Sequence, residues 1–266
     1  MNAVTDELRE WPDRLERAIA LGTPLFREVR VLAETTSTQD AIRSIASGPG
    51  WVVTTGRQTG GRGRLGRSWA DTAHQGVAVT CSVPDAAPAR LVLVSAVATH
   101  RAIRAVTPED RLACGIKWPN DIVTRRGKKL AGILIERVEL AEGPCALVGI
   151  GVNVLQESFP PELADRATSL ALEGAIVRRI DLLESLLREW GLAWQEPLAS
   201  VLGYAAEYDA LRGAMVGCAT PEGTIDATVV RADPMRGLIV RLPGDSEERL
   251  LPAATTSILS WKPREV

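Results

Sequence analysis

Gly61-Arg62-Gly63-Arg64-Leu65-Gly66-Arg67-Ser68-Trp69 is the most informative stretch of the chain. It ends a longer segment, residues 56–69, with five glycines, four arginines and no acidic residue. Glycine lets backbone N–H groups come close to a ligand, and arginine offers a planar, permanently charged fork for carboxylate or phosphate. Trp69 adds a flat face for a base or ring. Composition alone fits a solvated flexible loop or an RGG-like RNA-binding tail just as well. The flanks and the overall acidity argue against a tail. Residues 51–55, Trp-Val-Val-Thr-Thr, read as a strand, and so do residues 76–83, which makes the segment a loop within a folded domain.

Upstream, Leu8, Trp11, Leu15 and Ile19 recur at helical spacing over residues 7–20, with Pro12 inside the pattern. Residues 29–32 read as a strand. Ser37 or Thr38 can then N-cap a helix running to about residue 47, where Gly48-Pro49-Gly50 breaks it. Downstream, the pattern predicts a mostly apolar helix over residues 90–106 and a short strand over 115–118. A hairpin of residues 122–124 and 129–140 turns at Arg125-Arg126-Gly127-Lys128, and residues 145–154 form a buried strand. Residues 179–194 place Leu182, Leu183, Leu186, Leu187, Trp190 and Trp194 on one side of a helix. From Gly213 onward the texture changes to short β-rich runs at 227–231, 237–242 and 249–252, separated by turn signals. The expected organisation is an α+β domain over residues 1–212, followed by a small barrel over residues 213–266.

A chain of 266 residues holds one large domain, or a medium one plus a small one. With 45% hydrophobic and 24% charged residues, wholesale disorder is excluded. The net charge of −2 argues against a nonspecific nucleic-acid binder. Apolar stretches such as residues 91–98 fall far short of the roughly 20 residues of a membrane span. The first twenty residues carry Asp6, Glu7, Glu10, Asp13 and Glu16 rather than a basic, apolar leader, so a soluble cytoplasmic protein is expected. Cys81, Cys114, Cys145 and Cys218 are widely spaced and only His74 and His100 accompany them, so neither a Cys/His zinc site nor a disulfide framework is expected. Arginine outnumbers lysine 27 to 4, which draws attention to each lysine that remains.

Three further segments carry chemistry. In Lys117-Trp118-Pro119-Asn120-Asp121, Lys117 lies on a short apolar strand, where a charge is costly without a partner or ligand. The plain alternative is a surface lysine at a strand end. In Gly149-Ile150-Gly151-Val152-Asn153, a buried strand ends in a polar amide; without a following helix this is no dinucleotide fingerprint. Thr36-Ser37-Thr38-Gln39, with Gln58 after the next strand, is either a helix cap or a set of neutral hydrogen-bonding groups for an uncharged polar ligand.

Together these segments resemble the biotin protein ligases. The family's GRGRxGRxW loop is matched by residues 61–69, its KWPND by 117–121, its KLAGIL strand by 129–134 and its G-x-G-x-N turn by 149–153, in the family's order. Two departures stand out. Gln39 replaces the usual asparagine after Ser-Thr, and about 25 to 30 residues precede the first strand, too few for the DNA-binding winged helix of some members.

The resemblance implies a class II aminoacyl-tRNA synthetase-like catalytic domain, with a mixed or antiparallel sheet and helices, plus a C-terminal SH3-like barrel. It implies a biotin–[biotin carboxyl-carrier protein] ligase. Biotin and MgATP would give biotinyl-5′-AMP and pyrophosphate, and the biotinyl group would pass to one lysine of a biotin carboxyl carrier domain. That domain would belong to an acetyl-CoA/acyl-CoA or pyruvate carboxylase, and no DNA or membrane partner is expected. By the same resemblance Ser37, Thr38, Gln39 and Gln58 would hold the ureido ring. Arg62, Gly63 and Arg64 would line the biotin and phosphate side, and Lys117 would bridge the carboxyl and α-phosphate. Arg62, Arg64, Arg67, Trp69, Lys117 and Asn153 would take the adenylate, Trp69 against adenine and Asn153 at its edge. Lys117 and Arg64 are the expected catalytic residues; Mg²⁺ is expected, with no ligands assigned. The rival readings are a lipoate or other acyl-protein ligase and a noncatalytic biotin-binding regulator. Lys117 discriminates against the latter, because binding alone needs no cation at an acyl-phosphate junction.

Overall fold

Strand-forming stretches of alternating hydrophobicity organise the chain around one seven-stranded mixed sheet. The computed structural model describes residues 3–22, 24–69, 74–108 and 112–263. Helix α1 (Ala3–Leu21) leads into β1 (Glu28–Leu32), α2 (Thr38–Ile45) and β2 (Trp51–Thr55). A short hairpin of β3 (Gly61–Arg62) and β4 (Ser68–Trp69) precedes β5 (Gly76–Pro84) and α3 (Pro88–Val106). Next come β6 (Cys114–Lys117), β7 (Asp121–Thr124), β8 (Lys129–Leu140) and β9 (Gly143–Asn153). The helices α4 (Pro161–Ala164), α5 (Arg179–Gln195) and α6 (Leu198–Glu207) complete this part. The sheet order is β1-β2-β5-β9-β8-β7-β6, with β1 and β2 parallel and every other pair antiparallel. The expected α+β class holds.

Period-two alternation assigns the two faces of this sheet different work. Val77, Val79, Cys81 and Val83 of β5, with Val148, Ile150 and Val152 of β9, share one core with Leu91, Val94 and Val97 of α3 and Leu183 and Leu187 of α5. Val53, Cys145 and Leu147 point the other way, against Ile42 and Ala46 of the α2 segment. Because α2 is only eight residues long, it covers part of that face and leaves the rest open. Ser37 starts α2 by accepting a hydrogen bond from the Gln39 amide at 3.2 Å. Helix α1 runs straight through Pro12, with Trp11 and Leu15 fully buried; their apolar burial offsets the backbone bond that proline removes.

The last strands, β10 (Met215–Thr220), β11 (Gly223–Asp233), β12 (Gly237–Arg241), β13 (Arg249–Pro252) and β14 (Ser257–Lys262), form a five-stranded antiparallel sheet ordered β13-β12-β11-β10-β14. Its core of Val216, Cys218, Val229, Leu238, Val240 and Leu251 also takes in Trp118 from the β6–β7 turn. Asp209 ties the two parts together by accepting from the amides of Leu211 at 2.9 Å and Ala232 at 2.7 Å. Burial raises the pKa of that carboxyl and its hydrogen bonds oppose the rise. All four cysteines are free thiols. Among the described residues no helix is long and apolar enough to cross a membrane.

Candidate functional site

A cleft of about 470 Å³, counting its open mouth, lies on the face of the sheet that α2 leaves uncovered. That volume suits a small organic ligand. One end is neutral and polar. Thr38 donates to Gln58 Oε1 from its amide at 2.8 Å and lies 3.1 Å from it through its hydroxyl. The Thr80 hydroxyl sits 2.9 Å from Thr38 Oγ1 and 3.0 Å from Gln39 Oε1, while Gln39 Nε2 donates to the Leu147 carbonyl at 3.3 Å. Ser37, Thr38, Gln39, Gln58 and Thr80 are all buried. Such a cluster presents donors and acceptors without net charge, which favours an uncharged polar ligand group over an ion.

The other end is cationic and aromatic. The β3–β4 hairpin folds over the cleft, closed by the Gly63 amide donating to Arg67 O at 2.7 Å. Arg62 is held by Asp40 at 2.7 Å and Glu136 at 3.0 Å, and Arg64 donates to Asn120 Oδ1 at 2.9 Å. Asn120 in turn donates to the Ile133 carbonyl at 2.8 Å, so the hairpin is pinned to β8. Trp69 lies on the sheet only because Gly151 lacks a side chain: a Cβ there would stand 2.6 Å from the indole Cε2. Lys129 places its ammonium 5.6 Å from the Trp69 ring centroid and 2.6 Å from Asp121.

The cleft brings together Ser37, Thr38, Gln39, Gln58, Arg62, Gly63, Arg64 and Trp69 of the residues expected from sequence. Three expected residues do not line it. Arg67 is exposed beside it. Lys117 lies behind Asp121, 4.0 Å from that carboxylate, with its ammonium 5.5 Å from the Trp261 ring centroid. Burial lowers the Lys117 pKa and Asp121 opposes, while Lys129 and Arg67 add to the lowering. Asn153 is buried, with its amide nitrogen donating to Thr168 O at 2.9 Å and Lys129 O at 3.4 Å, and its oxygen accepting from Gln156 at 3.4 Å. In this arrangement Asn153 fastens the strand that carries Lys129, with its amide nitrogen turned to backbone carbonyls.

Thr80, Asn120, Lys129 and Gly132 line the cleft without having been given a ligand role from sequence, although Asn120, Lys129 and Gly132 fall within matched motifs. Thr80 carried a readable signal, a hydroxyl amid the apolar run of β5. Lys129 carried another, being one of only four lysines.

Residues 29–153 match the model of the biotin/lipoate A/B protein ligase family. The chain is 37% identical over 174 residues to the biotin–[acetyl-CoA-carboxylase] ligase of Mycobacterium tuberculosis, covering 62% of this chain and 63% of that one. It is 34% identical over 165 residues to the bifunctional ligase/repressor BirA of Bacillus spizizenii, and there the match spans 59% of this chain and half of the relative. Among solved structures it is similar to the biotin protein ligase from Aquifex aeolicus in complex with biotin and ATP. That likeness has a TM-score of 0.73 and 26% identity, and covers 88% of this chain and 99% of that one.

Proposed function

From the match of residues 29–153 to the biotin/lipoate A/B protein ligase family we propose that the chain is an ATP-dependent biotin protein ligase. The observation that carries this is the polarity of one cleft, with buried neutral amides and hydroxyls at one end and arginines, a lysine and an indole at the other. Biotin has the same polarity: an uncharged ureido ring at one end and a carboxylate at the other. Ser37, Thr38, Gln39 and Gln58, joined by Thr80, would meet the ureido group.

A carboxylate oxygen then attacks the α-phosphorus of ATP, the bond to the β-phosphate breaks, and pyrophosphate leaves. Two anions must meet in that step, so cations have to hold both. Arg62 and Arg64 line this end of the cleft, and Lys117 would reach the meeting point by turning from Asp121. Trp69 offers its face to adenine, and Arg67 stands beside Lys117 where the phosphates leave. Asn153 supports this end through Lys129. Mg²⁺ would come with the ATP phosphates and supply charge neutralisation. Among the described residues no group of three or more His, Cys, Asp or Glu could hold a resident ion.

In the second step the amine of a carrier lysine attacks the acyl carbon, AMP leaves, and the amine gives up its proton. The acceptor we propose is a biotin carboxyl carrier domain, in the cytoplasm. Residues 1–212 would carry the chemistry, and residues 213–266 would form the SH3-like domain. The test is pyrophosphate release from MgATP with biotin, with lipoate and with neither, followed by mass spectrometry of a carrier domain. Biotin-dependent release and a single biotinyl-lysine are expected. Release with lipoate alone would replace the reading by a lipoate ligase, and no acid-dependent release would refute it.

A further inference from the structure

We propose that Arg179, far from the cleft in sequence, is a positioning residue for the glycine–arginine loop, holding both of its roots on one buried guanidinium. The inference rests on the reading of that loop as the cover over biotin and its adenylate. Arg179 opens α5 and is fully buried. Its Nη1 donates to the carbonyl of Gly56 at 3.3 Å and to that of Gly76 at 3.5 Å, and its Nη2 donates to Glu7 at 3.1 Å. Gly56 is the first residue after β2, and Gly76 is the first residue of β5. Every loop residue assigned to the ligand, from Gln58 to Trp69, lies on the chain between those two carbonyls.

A buried guanidinium is costly, and an apolar side chain of similar volume such as methionine or leucine would occupy the interior between α1, α5 and the sheet without that cost. What a hydrocarbon cannot do is bind two carbonyls from opposite sides of a loop. The rest of the base is equally constrained. The Gly56 amide donates to Leu32 O at 2.9 Å, and a Cβ on Gly56 would lie 2.5 Å from Leu8 of α1 and 2.9 Å from the Ala33 carbonyl. The Arg179 side chain also faces the Trp11 ring, 4.9 Å from its centroid. Helices α1 and α5 therefore reach the cover through its base, and the tip of the loop moves about a hinge that Arg179 defines.

Glu7 lets the two roles of Arg179 be separated, since it pairs with the guanidinium from α1. The full-length chain is compared as wild type, Arg179→Gln, Arg179→Lys and Glu7→Gln. Amide exchange is followed at residues 56–69 and 74–77 without ligand, alongside Tm and the KM for biotin in pyrophosphate release. Arg179→Gln should speed exchange at the loop roots and raise the KM for biotin, each about tenfold, the scale of one lost hydrogen bond to a charged donor. Arg179→Lys should fall between, because a point charge cannot span two carbonyls as a fork does. Glu7→Gln should lower Tm while leaving root exchange and KM at wild-type values. If Arg179→Gln is too unstable to fold, Arg179→Lys carries the comparison. Wild-type root exchange and KM in the folded Arg179 variant would overturn the proposal, as would Glu7→Gln changing both equally. Because exchange is read without ligand, it stands even if wild type releases no pyrophosphate, an outcome that would refute the ligase reading separately.

Discussion

Gly149 and Gly151 are two residues apart on β9 and point to the same face, so one methyl at each position probes the two ends of the cleft. In Gly151→Ala the new Cβ would lie 2.6 Å from Trp69 Cε2 and 2.7 Å from Cζ2. Carbon atoms pack best at about 3.5–4.0 Å, so the indole must retreat by about 1 Å. β9 is held on both sides by β5 and β8, whereas Trp69 ends a two-residue strand, so the indole gives way rather than the sheet. Overpacking of this kind costs about 1–3 kcal/mol. Charged against the closed position of Trp69, that predicts a rise of about five- to a hundredfold in the KM for ATP, with biotin binding nearly unchanged. In Gly149→Ala the Cβ would lie 2.6 Å from Gln39 Oε1, on a side chain already held by Thr80 and Leu147. There the loss should fall on biotin, with the KM for ATP preserved. The assay is pyrophosphate release with each substrate varied at saturating levels of the other, supported by calorimetric biotin binding without ATP. If both alanines raise the same KM, or if Gly151→Ala weakens biotin alone, the proposed orientation of ligands along the cleft is wrong.

Lys117→Ala should keep the fold but slow adenylate formation by a factor of about a hundred to a thousand, the scale of a lost transition-state contact; near-normal adenylation by a folded variant would remove Lys117 from the mechanism. Since burial lowers the Lys117 pKa, its charged form is lost at lower pH than an ordinary lysine's. Biotin-dependent pyrophosphate release should therefore fall early on the alkaline side, and Lys117→Arg should move that fall to higher pH. Arg64→Gly breaks the contact with Asn120 and frees the backbone, so the adenylate should escape and label a bystander protein such as albumin; labelling confined to the carrier domain would refute the gating role. Burial holds His100 neutral, lowering its pKa to about 4, so its contribution to stability is present above about pH 6.5 and is lost as pH falls toward 4. Unfolding free energy should drop by roughly 2 kcal/mol between pH 6.5 and 5 on this account, and His100→Gln should shrink that drop in denaturant melts.

What the sequence made legible follows what each segment packs against. α5 buries one side and α3 is buried nearly all round from Leu93 to His100, so an apolar period in one and an apolar run in the other were readable. α6 buries only Val201 and Ala205, and its Ser200 and Gly203 blur the period, so it was not. β14 has no buried residue and owes its place to pairing with β10, information that lies some forty residues away in the chain. Of the β3–β4 hairpin, β3 is only glycine and arginine, which carry little strand preference, and β4 is only two residues long; a tight turn closed by Gly63 and Arg67 forms it. In the cleft, the residues that cap α2 or sit on the loop were found because a local motif marked them. Lys117, Arg67 and Asn153 were marked in the same way, yet whether they line the cleft depends on side-chain direction at strand ends. Thr80, Asn120 and Lys129 enter through the third dimension, where β5, the β6–β7 turn and β8 converge.

The energetics of the hairpin bear on how such a cover could work. Arg62 reaches Asp40 and Glu136, and Arg64 reaches Asn120, all across partly exposed surface. Exposed ion pairs of this kind contribute only about 0–1 kcal/mol. A carboxylate or phosphate in the cleft, shielded from water by the indole of Trp69, would bind the same guanidinium forks more strongly than the exposed carboxylates do. On the role proposed for Arg179, the loop is held at its base by a buried guanidinium and at its tip only by partly exposed contacts. On that reading ligand anions would exchange one set of arginine partners for another without unfolding the loop, and closure would follow the ligand rather than precede it. On the ligase reading, strengthening the tip would cost turnover, because the cover would have to release the adenylate to the acceptor lysine as well as protect it from water.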